Sequence, residues 1–215
     1  MNHLRHLALS LLACSGLLAC ASTDQGAQTG STIKRAADEI DVALKDLGAT
    51  MTSLEALMLK PAQDLEPQYD AYTSALEDFE DSTQDVSDTA HKMKEQGQAY
   101  FADWEAKLAA IQNEDIRESA ADRKKTVEAG FSKLQDRYGE VKANLDPLLA
   151  NLRDIRTALA ADLTMSGLEG LKSTAKSASK NAEDLTEDLT DLSKDFRDLS
   201  DNLARSGPPA AAPEK

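Results

Sequence analysis

From Ile33 to Leu203 the large apolar side chains recur at alternating steps of three and four residues. That spacing gathers them on one stripe of an α-helix, and a stripe sustained over many turns can be buried only against another helix lying alongside. The pattern is interrupted three times. Lys60-Pro61 ends a first set made of Ile33, Ala37, Ile40, Leu44, Leu47, Met51, Leu54 and Met58, because proline lacks an amide donor and disfavours helix in the residue before it. Gln112-Asn113-Glu114-Asp115 then separates a second set, Leu65 to Ile111, from a third, Ile116 to Leu163. A fourth, Leu168 to Leu203, follows Thr164-Met165-Ser166-Gly167.

These breaks predict helices over about 33–59, 63–112, 115–163 and 167–204. Residues 65–112 and 116–163 are equal arms of 48 residues, which predicts an antiparallel hairpin about 70 Å long. No single stripe can be buried alone, so the expected fold is all-α: an elongated antiparallel three- to four-helix bundle with coiled-coil-like packing. An intermolecular coiled coil would use the same pattern, but the short turns and matched arms favour packing within one chain. Two residues strain the pattern. Arg123 occupies a seam slot and predicts fraying, and Pro147 predicts a bend or local opening of the third helix.

The amino-terminal end has a different character. His3, Arg5 and His6 precede an apolar run from Leu7 to Ala19, thirteen residues that are too few to span a bilayer. The run ends in Leu17-Leu18-Ala19-Cys20, which resembles the lipobox at which bacterial lipoproteins are acylated and cut. A second match ending at Cys14 leaves too short an apolar region. The expectation is therefore a signal peptide over 1–19, lipid on Cys20 and a flexible tether over 20–32, since Ala21 to Ser31 hold no large apolar side chain. Several acyl chains would anchor the protein durably. Ala21, standing where a retention aspartate would be, favours the outer membrane and its periplasmic face. Residues 206–215 are rich in proline and are expected to be disordered.

Loss of the signal would leave 23 basic and 38 acidic side chains. A surface so acidic is repelled by nucleic acid and by anionic headgroups. Cys20 would be the sole cysteine, so stability must come from packing and not from disulfides.

Around the central turn, Tyr100-Phe101-Ala102-Asp103-Trp104-Glu105 with Leu108, then Ile116-Arg117 with Ser119, then Pro147-Leu148-Leu149 with Leu152 and Asp154, resemble the uncharacterised bacterial domain-of-unknown-function family 2959. The resemblance spans about 65–175, with Ser31 to Met58 lacking a recognisable counterpart and Ala161-Asp162-Leu163-Thr164 departing from the family pattern. It implies a helical envelope protein and assigns no activity.

Tyr100, Phe101 and Trp104 are the candidate partner-binding residues, as a patch for a protein or glycan, although their seam spacing equally fits a core role. His91 with Asp88 is the one place where a metal pair could be sought, yet a di-iron carboxylate bundle needs two Glu-x-x-His pairs; no metal, cofactor or catalytic residue is expected. The last helix carries Glu183, Asp184, Glu187, Asp188, Asp191, Asp195, Asp198 and Asp201 behind a stripe of Lys172, Lys176 and Lys180. Folding back would bring Lys133 and Arg137 near Asp195 and Asp198. Lys215 after its tail resembles the terminal lysine that Braun's lipoprotein offers to peptidoglycan, a candidate attachment point. The expected function is a non-enzymatic spacer, scaffold or adaptor of the cell envelope, with a binding module for peptidoglycan, a basic peptide or divalent cations as the alternative. Oligomeric state is left open.

Overall fold

The computed structural model describes residues 18–205, with side chains described from 27 to 203. Most of the expected signal, and the tail with Lys215, lie outside the described residues. Four helices account for nearly all of the described chain: α1 (Leu18–Leu59), α2 (Glu66–Ala110), α3 (Glu114–Ala161) and α4 (Met165–Arg205). Each packs on its neighbours in sequence and α1 packs on α4, with no diagonal pairing. The result is the expected bundle in its four-helix form, an up-down-up-down rod.

One continuous core runs along it. Ile33, Ile40, Leu47, Leu54 and Leu57 of α1 meet Tyr72, Leu76 and Phe79 of α2, Leu148, Leu152 and Ile155 of α3, and Leu192 and Phe196 of α4. Most of the periodic residues of the sequence are thus buried. A few polar groups enter this core with partners, as burial requires. Tyr72 donates its hydroxyl to the Leu152 carbonyl at 2.7 Å, tying α2 to α3, and burial pushes the Tyr72 phenol far above its ordinary pKa.

Local chemistry sets the helix ends. Gln68 donates to the carbonyls of Ala56 and Lys60 at 3.2 and 3.1 Å, covering the last open carbonyls of α1. Pro67 occupies the first turn of α2, where its missing amide costs nothing. Asn113 caps α3 by accepting from the Ile116 amide at 3.0 Å, and Glu114 and Asp115 complement the positive end of that helix. Thr164 accepts from the Gly167 amide at the start of α4.

Three expectations are corrected. First, the segment read as a flexible tether over 20–32 is helical, because α1 starts at Leu18. Its want of large apolar residues does not prevent packing. Thr29 and Thr32 are buried, and Ser200 of α4 donates to the Gly30 carbonyl at 3.0 Å, so small side chains let the two helices approach closely. Second, α3 is not frayed at Arg123 and begins at Glu114. Third, α3 does not open at Pro147 and runs through it as one helix, with the proline on the exposed face, where its ring meets solvent. The register of α3 on α4 is close to the expected one: Arg137 pairs with Asp191 at 3.0 Å, which sets Lys133, one turn earlier, level with Asp195, and Asn144 donates to Asp188 at 3.0 Å.

Candidate functional site

The central hairpin extends past the described part of α4. Gly130 of α3 lies against Leu199 of α4, so the described part of α4, ending at Arg205, stops roughly ten residues, about 15 Å, short of the start of α3 at the hairpin tip. Ile116 shows the consequence. It holds a seam slot in the sequence, yet it is 56% exposed, beyond the level at which the described part of α4 ends.

Just inside this overhang the three expected aromatic residues meet. The ring centroids of Tyr100 and Phe101 are 5.4 Å apart, and those of Tyr100 and Trp104 are 5.5 Å apart, edge to face. Phe131 of α3 closes the cluster against Phe101 at 5.6 Å, with the planes at 83°. Such tilted geometries suit the ring quadrupoles. All three expected residues are partly buried against the core: each packs inward and keeps an accessible side.

The guanidinium of Arg123 stands over the Trp104 ring, 5.6 Å from its centroid. A seam slot that would have opened the helix is thereby filled by a cation resting on a π face. Burial raises the Tyr100 pKa above its ordinary value, and the Arg123 charge opposes part of that rise, so the phenol stays protonated. Lys124, beside Arg123, bridges Glu105 of α2 at 3.1 Å and Glu128 at 2.7 Å. The bond to Glu128 chiefly, and that to Glu105, hold its ammonium above the usual pKa.

Phe131, Gly97 and Arg123 are the members that spacing alone did not reveal. Gly97 and Phe131 belong to different helices, and only their similar distance from the turn at 111–113 hints that they meet. The other expected positions carry less. His91 is exposed, while Asp88 accepts from Gln84 on its own helix at 2.8 Å. Among the described residues no group of His, Cys, Asp and Glu could hold a metal ion. Cys20 falls on the backbone of α1, with its side chain outside the described residues.

Two concavities lie elsewhere. A cavity of about 190 Å³ opens between α2 and α3 at mid-bundle, lined by Val86, Tyr138, Leu145, Leu149 and Leu192. An open recess of about 580 Å³ sits at the opposite end from the tip, bordered by Asp64, Glu66, Tyr69, Asp70 and Met165.

Fold and site together define an elongated all-α rod with an aromatic, cation-edged cluster near one end. A family model described as "Protein of unknown function (DUF2959)" matches residues 29–198. The chain belongs to that family, and the match takes in most of α1 and α4 as well as the hairpin, so Ser31 to Met58 do have a family counterpart. No curated protein and no solved structure matches the chain.

Proposed function

We propose that this protein is a lipid-anchored spacer, scaffold or adaptor of the bacterial cell envelope, without enzymatic activity, held through Cys20 on the periplasmic face of the outer membrane. The observation that carries the reading is the junction Leu17-Leu18-Ala19-Cys20 behind an apolar run, joined to a rod whose buried interior is filled by its own side chains. No described helix is long and apolar enough to cross a membrane, so attachment through lipid supplies what the helices do not. A rod of about 65 Å suits the work of holding a partner at a set distance from a bilayer.

The accessible side of Tyr100, Phe101 and Trp104 is the surface offered to an envelope component. Nucleic acid is disfavoured by the acidic balance of the chain. Mass spectrometry of the mature chain tests the anchor, and an unacylated amino terminus other than Cys20 would remove it. Crosslinking in intact envelopes tests the adaptor role, with recovery of one defined partner as the expected result.

A second reading, a binding module, draws on the recess bordered by Asp64, Glu66 and Asp70, whose charge suits a basic peptide. Saturable binding there, lost on replacing those carboxylates by amides, would favour it. Muropeptides recovered on Lys215 would favour attachment to peptidoglycan instead.

A further inference from the structure

Three contacts set the polarity of the rod. Thr50 of α1 donates to the carbonyl of Ala75 of α2 at 2.8 Å, Ser193 of α4 donates to the carbonyl of Ala37 of α1 at 3.3 Å, and Ser200 of α4 donates to that of Gly30 of α1. With α1 antiparallel to α2, each step from Thr50 toward the start of α1 matches one from Ala75 toward the hairpin turn. Cys20 is thirty residues from Thr50, about 45 Å at the helical rise, which places it level with the Trp104 region of α2. The start of α1 and the hairpin tip are thus at one end of the bundle, and the turns at 60–65 and 162–164 are at the other. Because α1 is helical from Leu18, there is little slack between Cys20 and this tip.

The tip also differs in charge. Residues 98–126 carry six acidic and five basic side chains, whereas the chain as a whole carries 38 acidic and 24 basic. The near balance removes at this end the repulsion that the rest of the molecule would feel at an anionic bilayer. Ile116 is exposed at the extremity, and Trp104 lies about 12 Å behind it along the hairpin.

We infer that the α2–α3 hairpin tip docks on the lipid surface, so that the bundle stands tip-down with Ile116 at the headgroup level and the recess of Asp64, Glu66 and Asp70 projecting away from the membrane. The inference rests on the lipidated Cys20 of the proposed function. It makes the hairpin turn the membrane contact and leaves the aromatic cluster above it and the distal acidic end as surfaces for a partner.

The test uses the full lipoprotein, produced with its acyl chains and reconstituted into vesicles of phosphatidylethanolamine and phosphatidylglycerol containing an acceptor-labelled lipid. A donor dye is placed on Ser119→Cys near the tip or on Ser166→Cys at the far end, both exposed positions and about 60 Å apart along the bundle. Energy transfer to the lipid is expected to be several-fold greater from position 119. Equal transfer, or more from position 166, with the protein still floating with the vesicles, overturns the orientation and leaves the tip to a protein partner. A chain that lacks acyl mass and fails to float removes the anchor, and this inference with it.

Discussion

Gly97 of α2 lies beneath the ring of Phe131 of α3 so closely that a methyl group added at Gly97 would stand 2.6 Å from the ring's Cε1 atom. Phe131 is itself pinned against Phe101, so the ring cannot swing away at low cost.

Gly97→Ala is therefore expected to destabilise the protein although alanine is the better helix former. Overpacking costs about 1–3 kcal/mol, and the gain in helix propensity returns about 1 kcal/mol, leaving a net loss of roughly 1 kcal/mol. Denaturant unfolding checks it, with Phe131→Leu in the same chain expected to make the alanine better tolerated. A rise in stability from Gly97→Ala alone would contradict the packing.

Trp104 is the sole tryptophan, so its fluorescence reports the Arg123 contact directly. Arg123→Ala is expected to shift the emission and to cost roughly 0.5–1 kcal/mol, the range for a cation over an aromatic face at a partly exposed site. Unchanged emission would show that the guanidinium does not rest on the ring.

Asp41 of α1 accepts from Arg197 at 2.6 Å and from Ser193 at 2.7 Å, both on α4, and Arg197 also reaches Asp38 at 3.2 Å. The bond from Arg197, then that from Ser193, lower the Asp41 pKa against an opposing effect of burial. A carboxylate whose folded pKa lies below its ordinary value stabilises fully above that value, and its contribution disappears as the pH falls through the folded one. The stability difference between the wild type and Asp41→Asn should thus be largest near neutrality and shrink below about pH 4. Because the side chain is about half exposed, the difference should stay under about 1 kcal/mol. Unfolding curves from pH 7 down to pH 3 check the trend.

Pro147 interrupts the hydrogen bonding of α3 from an exposed position. Pro147→Ala restores an amide donor to the helix interior and removes a ring that crowds the preceding turn, so a gain of up to about 3 kcal/mol is expected. A higher melting temperature verifies it. A lower one would show that the core packing of Leu148 and Leu149 depends on the proline.

The helices, their breaks and most of the core were legible in the residues because the cause is local. Ile40, Leu47 and Leu54 share a face of α1 whatever surrounds them, Pro61 stops that helix by its own geometry, and Asn113 caps α3 from three residues away. The aromatic trio was legible for the same reason, since Tyr100 and Trp104 are one turn apart on a single helix. Phe131, arriving from another helix, and Arg123, read as a breach in the seam, were not.

The repeat of apolar residues by itself determined that four long helices would form and would have to share one core. Tertiary structure alone decided how they slide and where they end against each other. The pairing of Arg137 with Asp191, the helical path of α1 across Thr29 and Gly30, and the common end shared by Cys20 and the hairpin tip all depend on side chains meeting across the bundle. A helical stripe looks nearly the same after each turn, so its spacing is almost indifferent to axial displacement. Only the fit of particular pairs, a hydroxyl on a carbonyl or a ring over a glycine, selects the position.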